Sequence, residues 1–309
     1  MPRKINIAYA ILAHKYPEML ARLIERLSSP YSDFFIHVDK RQHLFPFKTS
    51  LKKIKKNDSK IKFVKRCKSP WGSIGLVNAT LNSFSEIAKS LTKYDYIVTL
   101  SGQDYPLVKN NTIRGFFEEN YGNNYISYFP CVYDSHQDPW KQEILTNRLG
   151  KYHINLLGSK YEYPSKDNIF TNIFLGFFFD KPRTHVSYVK PYADSQWFCI
   201  TMSAVRYILN FVQEHPDFLK YHKYTYIPDE IFFQTILLNS PDTIRESIVN
   251  DNLKYIDWSK PNLFHPLIFS CHDFSNLMSS KKIYARKFDL NICSKILDMI
   301  DDEILESSK

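Results

Sequence analysis

The chain has no Asp-x-Asp, no internal repeat, no low-complexity linker, no closely spaced cysteines and no apolar run long enough to span a bilayer. Without Asp-x-Asp, a magnesium or manganese site would need partners from distant parts of the chain. Cys67, Cys131, Cys199, Cys271 and Cys293 stand apart from one another. That spacing argues against a disulfide framework or a zinc site, so the cysteines are expected to pack as apolar residues in a reducing compartment. MPRKINIAYAILAH runs straight into a strand-like segment with no small-residue cleavage site, and no span of membrane length follows. The expectation is a soluble, cytoplasmic protein. The net charge of +9 implies an acidic partner. Its densest basic run, LKKIKKNDSKIKFVKR at 51–66, lacks the stacking platforms and glycine patterns of RNA modules, so no nucleic-acid partner is expected. The run reads as a solvated loop first. Second, it reads as a basic patch for peripheral contact with the inner face of a membrane.

What is present is a chain of 309 residues, 44% hydrophobic, enough to bury a large core. INIAYAILA, DFFIHVDK, KIKFVK and YDYIVTLSGQDYP are strand-like runs. PEMLARLIERLSS and GSIGLVNATLNSFSEIAKSL carry helical spacing between them. Such alternation predicts an α/β fold with a mostly parallel central sheet flanked by helices. Ligands of such sheets bind beyond the carboxyl ends of the strands, where this chain places His14, Asp39 with Lys40, and Gln103 with Asp104. Residues of about 134–190 read as a loop-rich insertion able to line a cleft. ADSQWFCITMS then returns to strand, SAVRYILNFVQEH and PDEIFFQTILLNS read as helices, and NLKYIDW as a short strand. KIYARKFD precedes a closing helix, NICSKILDMIDDEILES, with Ile292, Ile296, Leu297 and Ile300 facing inward.

In IPDEIFFQTILLNSP, Pro228 is suited to open a helix, and Asp229 with Glu230 suit its positive end. Glu230 also borders the apolar face of Phe232, Phe233, Ile236 and Leu237. It is therefore either a cap or a partly desolvated base. Other candidates carry the same double reading. Asp39 contacts a ligand or caps its turn, His14 is a ligand or a satisfied polar group, and Asp104 functions or merely ends its strand. Trp71 and Trp197 are sugar platforms or core and lip residues. Arg286 and Lys287 are an anion clamp or an exposed pair.

As an ordered set, AYAILAHKYPEMLARLIERL, FFIHVDKR, SPWGSIGLVNATL, YDYIVTLSGQDYP, SQWF, PDEIFFQTILLNSP and IYARKFD resemble the core-2/I-branching N-acetylglucosaminyltransferase and peptide O-xylosyltransferase family. They run in the family's order from residue 8 to 289, and FFQTILLNSP with ARKFD lies closer to the xylosyltransferase arm. The resemblance implies a single GT-A-type nucleotide-sugar-binding domain and an inverting glycosyltransferase that uses a UDP-sugar without a metal ion. On that basis Glu230 is the base, and Arg286 and Lys287 hold the diphosphate. Asp39, with His14 nearby, contacts the nucleotide. Trp71, Asp104, Gln196 and Trp197 complete the expected substrate site. A membrane anchor, cysteine pairs and a longer insertion mark the animal members and are missing here. The reading adopted is an enzyme of a bacterium acting on a surface glycan or glycolipid.

The chemistry agrees with that implication. Inverting transfer needs one carboxylate to take the acceptor's proton, and the leaving diphosphate needs a metal or fixed cations. Two rivals stand beside it: a metal-dependent nucleotide-sugar transferase, and a non-catalytic sugar- or nucleotide-binding protein of the same fold.

Overall fold

The computed structural model describes residues 4–55, 57–132, 142–156, 159–165, 169–179, 183–259 and 265–306. In chain order the strands are β1 (Ile7–Ala13), β2 (Ser32–Val38), β3 (Ile61–Phe63), β4 (Tyr96–Ser101), β5 (Tyr105–Pro106), β6 (Asn124–Ile126), β7 (Phe129–Pro130), β8 (Tyr152–Leu156), β9 (Ser159–Tyr163), β10 (Tyr192–Ala193), β11 (Phe198–Thr201), β12 (Ile248–Val249), β13 (Lys254–Ile256) and β14 (Tyr284–Arg286). The main sheet has the order β12-β6-β11-β4-β1-β2-β3. β11 runs antiparallel to both its neighbours, and the other pairings are parallel.

The continuous apolar runs arise because the central strands are covered on both faces. Along β1, Ile7, Tyr9, Ile11 and Ala13 enter one core. Ala8 and Ala10 enter the other. The period of two assigns them. The first face is covered by the helices Pro17–Leu27 and Lys295–Glu306, the second by Ile74–Ala88, Met202–Glu214 and Phe232–Leu238. Pro17 opens its helix as expected, and Met19, Leu20, Leu23, Ile24 and Leu27 bury its inner stripe. At Ile74–Ala88 the Ser73 hydroxyl caps the Gly75 N–H. A Cβ at Gly75 would stand 2.2 Å from the Lys68 carbonyl oxygen, so only glycine lets the loop from β3 pass this closely.

The strand ends meet. The Asp39 N–H donates to the Ala13 carbonyl and the Gly102 N–H to that of Leu12, both at 2.9 Å. A small sheet, β13-β14-β5, brings the Tyr284–Arg286 segment alongside. Gln103 then exchanges hydrogen bonds with the Phe288 backbone, at 2.8 and 3.0 Å.

Four expectations are corrected. Ile292 is exposed, because the last helix begins at Lys295 and Ile292 lies in the turn before it. PDEIFFQTILLNS is not one helix, since Pro228–Glu230 forms a 3-10 turn that Ile231, at φ −127°, separates from Phe232–Leu238. The cysteines are not all apart: Cys271 and Cys293 are free thiols with sulfurs 3.1 Å apart, brought together by the turn after Asp289. Nor is the 51–66 run wholly a solvated loop. Its KIKFVK part forms β3 as the strand reading expected, and Arg66 donates to the Val38, Asp39 and Gln42 carbonyls, bracing the loop after β2. In the expected insertion the described residues carry the β8–β9 hairpin, a π-helical turn at Ile144–Leu149 and the helix Ile169–Gly176.

Candidate active site

Ile227, at φ +51°, turns the chain into Pro228–Glu230 and is tied to the core where its N–H meets the Gly72 carbonyl at 3.1 Å. Asp229 points inward and is buried. Burial, reinforced by the neighbouring Glu230 charge, pushes its pKa up to about 8, so it is a neutral acid near pH 7. Glu230 points outward, 35% exposed, and its carboxylate accepts from Arg148 Nη1 at 2.8 Å. No hydrogen bond links it to the N–H groups of the following helix among the described residues. The cap reading therefore loses to an ion pair. Burial raises the Glu230 pKa, and Arg148 opposes the rise.

Arg148 reaches this position from the Ile144–Leu149 turn. That turn is held by Arg183, which donates to the Arg148, Leu149 and Lys151 carbonyls. Arg183 also donates to the Tyr221 carbonyl and Thr225 Oγ1. Its guanidinium lies 3.9 Å from the Tyr221 ring centroid.

The second half of the site is built on Asp104, which is fully buried at the end of β4. Ser101 Oγ donates to it at 2.7 Å, and Lys254 Nζ, itself buried, lies 2.5 Å away. Arg286 Nη1 stands at 3.4 Å. Burial would raise the Asp104 pKa, but Lys254 and Arg286 outweigh it and hold the carboxylate below its ordinary value. Trp197 packs against both cations, with Lys254 Nζ and Arg286 Cζ each 4.5 Å from its ring centroid. Arg286 is thus pinned by a carboxylate and an indole, within electrostatic reach of Asp229 and Glu230. The Arg286–Lys287 peptide bond is cis. Lys287 has no ion-pair partner among the described residues. Burial, Arg286 and Lys15 push its pKa down. Lys15 and Tyr16 bind Asp289 at 2.9 and 2.6 Å, clasping the end of β1 to the segment after β14. His14 lies in the same electrostatic field. Its concave surroundings and the Lys15, Lys287 and Arg286 charges push its pKa down to about 4, leaving a neutral imidazole near pH 7. The site thus brings a partly exposed carboxylate within electrostatic reach of a pinned guanidinium, beside an ammonium that has no ion-pair partner among the described residues.

The sequence pattern of the core-2/I-branching enzyme matches residues 7–278. The chain belongs to the core-2/I-branching enzyme family. Xylosyltransferase 2 of Rattus norvegicus is 25% identical over 328 residues, an alignment covering 96% of this chain and 33% of that protein. Xylosyltransferase 1 of the same species is 22% identical, covering 97% and 35%. Beta-1,3-galactosyl-O-glycosyl-glycoprotein beta-1,6-N-acetylglucosaminyltransferase 4 of Mus musculus is 23% identical, covering 98% and 66%. The chain spans about a third of the length of the xylosyltransferases it matches. Its mostly parallel seven-stranded sheet with helices on both faces is the GT-A-like fold.

Within this member of the core-2/I-branching family, the remaining candidates take distinct places. Asp39 is buried and receives Arg41 through both carboxylate oxygens, at 2.6 to 3.2 Å, together with the Arg41 N–H at 2.9 Å. Its carboxylate shapes the turn after β2. Trp71 is half-exposed on the Glu230 side, edge-on to Tyr226 and His265, and His153 stacks on Tyr226 at 5.3 Å. Gln196 is half-buried in the short segment leading into β11. Trp197 is buried beneath the Lys254 and Arg286 cations, a packing position rather than an exposed platform. Sequence reasoning missed Arg148, Lys254, Arg183 and Tyr226. Only Lys254 left a signal, as the one charge within the short strand β13, Lys254–Ile256.

Proposed function

We propose that this protein is an inverting glycosyltransferase that moves a sugar from a UDP-sugar to an acceptor hydroxyl without a metal ion. Glu230 takes the acceptor's proton, and the oxygen forms its bond to the anomeric carbon from one side. The bond to the diphosphate breaks on the other side, and UDP leaves with the electron pair. Lys287 and the pinned Arg286 meet the charge that grows on the leaving group. The observation that carries this reading is the occupied state of Asp104. The acid at the strand end, where a cation would be sought, already holds Lys254 and Arg286, and its geometry presents a cationic group to the cleft. The relatives' names support xylose or N-acetylglucosamine as donor sugars, with related hexoses beside them. A bacterial surface glycan or glycolipid is the acceptor class we propose.

The test is calorimetric titration with UDP in excess EDTA, followed by a panel of UDP-sugars assayed for UDP release. UDP should bind in the chelator. Lys287→Ala should weaken UDP binding about tenfold to a hundredfold, the worth of a charge-assisted hydrogen bond, while uridine binding barely changes. Binding that vanishes in EDTA and returns with manganese would defeat the metal-free reading. No loss in Lys287→Ala would place that lysine on the surface.

Arg148 provides a pH test. A base works when deprotonated, so activity is lost as the pH falls through its pKa. Arg148 lowers that pKa, and Arg148→Gln should therefore move the acidic limb of kcat/KM to higher pH. At alkaline pH the two rates should converge. An unmoved limb with a uniformly lower rate would make Arg148 a purely structural contact.

A further inference from the structure

The helix Ile169–Gly176 and the turn after it carry a strongly apolar outer face: Ile173 is 58% exposed, Phe174 56%, Phe177 83% and Phe178 68%. This is not a loosely attached segment. The Asn172 side chain bonds the Ser165 N–H and carbonyl at 2.7 Å each, and Leu175 is buried. Phe179 packs on Tyr152 at 4.2 Å and on Tyr224 at 5.3 Å. The inner face is seated, and the outer one leaves four large side chains in water: Ile173 and Phe174 on the last helical turn, and Phe177 and Phe178 in the turn after it, with the Phe174 and Phe178 ring centroids 5.6 Å apart. Contiguous exposure of this kind marks an interaction surface.

We infer that this face inserts into the headgroup region of an anionic lipid bilayer. Charge selects that occupant. Residues 169–179 contain no acidic side chain, and the chain as a whole carries +9. Lys223 is exposed beside the patch, its Nζ 5.3 Å from the ring of Tyr224, the residue against which Phe179 packs. Phenylalanine flanked by lysine is the composition of an interfacial anchor. A second copy would bring one +9 surface to another, whereas an anionic surface relieves that repulsion.

The patch is also joined to the catalytic cleft. Tyr152 and His153 are neighbours on β8 with opposite outlooks. Tyr152 holds Phe179, while His153 stacks on Tyr226 and its N–H donates to the Tyr224 carbonyl at 2.9 Å. Tyr226 lies four residues before Glu230. A bilayer gripped by Phe177 and Phe178 therefore lies next to the segment that carries the base. Resting on the transfer reading above, this makes the acceptor a glycan carried on a lipid.

The test is flotation of the full chain with vesicles of phosphatidylcholine alone and with phosphatidylglycerol added. The protein should float with the anionic vesicles, less so at high salt. Phe177→Ser/Phe178→Ser should lower its partitioning by at least about tenfold, with UDP affinity unchanged as the measure of folding. Phe177→Trp should give fluorescence quenched by brominated lipid beyond that of the parent chain. Failure of the parent chain to float would overturn the inference, as would equal flotation of the double variant. A dimer that the double variant dissociates would do the same, by assigning the patch to a second copy. Flotation is read without any donor sugar, so loss of this inference leaves the transfer reading standing, and loss of that reading leaves lipid binding standing.

Discussion

Glu230→Gln should lower sugar transfer by about two to four orders of magnitude, the range a positioned general base contributes, while UDP binds almost as before. The substitution is nearly isosteric. The glutamine carbonyl can still accept from Arg148 Nη1, so the 2.8 Å contact between the insertion and the 3-10 turn is kept. What disappears is the proton acceptor. Single-turnover transfer beside calorimetric UDP binding separates the two. If transfer stays near the parent rate, Glu230 is no base and serves only as the partner of Arg148. Glu230→Asp is a useful companion, because it keeps the charge and withdraws it by one methylene, which a positional requirement would punish.

The largest effect on stability should come from Lys254→Met. The Lys254 ammonium is fully buried, 2.5 Å from Asp104 and 2.9 Å from the Thr99 carbonyl. Its removal leaves a buried carboxylate that keeps its bonds from Ser101 but has only Arg286, at 3.4 Å, as a nearby cation among the described residues. Breaking such a pair from one side costs about 3–5 kcal/mol, a large share of the roughly 5–15 kcal/mol that stabilises a domain. Lys254→Met/Asp104→Asn should recover much of the loss, since a neutral pair of similar volume has no charge to desolvate. Urea unfolding of the three proteins measures this. A Lys254→Met loss below about 1 kcal/mol would mean that Asp104 is already neutral in the fold, or that water reaches it. The double variant should still bind UDP more weakly than the parent, because Arg286 loses the carboxylate that pins it.

The strands were legible because β1, β2 and β4 are covered on both sides and therefore read as unbroken apolar runs. Their carboxyl ends, at His14, Asp39 and Asp104, followed from that reading alone. Arg148 and Lys254 escaped because nothing local distinguishes them. Arg148 meets Glu230 across 82 positions and Lys254 meets Asp104 across 150. Periodicity carries no information at such separations. The error at Ile292 has a different origin. It fits the helical spacing of Ile296 and Ile300, yet the chain turns over Asp289–Cys293 before the helix starts, and a turn's hydrogen bonds leave no trace in an apolar pattern. That Glu230 does not cap its turn was visible only once its carboxylate was seen to turn toward Arg148.

The order in which these parts are joined has a consequence for synthesis. A ribosome releases β1, β2 and β4 before β13 and β14, so Asp104 emerges 150 residues ahead of Lys254 and further still ahead of Arg286. Until both arrive, a carboxylate destined for full burial has no counter-ion, and the end of β4 cannot close over it without several kcal/mol of cost. The end of β4 is therefore expected to stay open to water until β13 and β14 dock against it. Distant pairings of this kind slow folding and prolong the exposure of partly formed sheets. During that interval the half-made protein has neither its guanidinium nor its ammonium in place, and it would have no means of holding a nucleotide diphosphate before release.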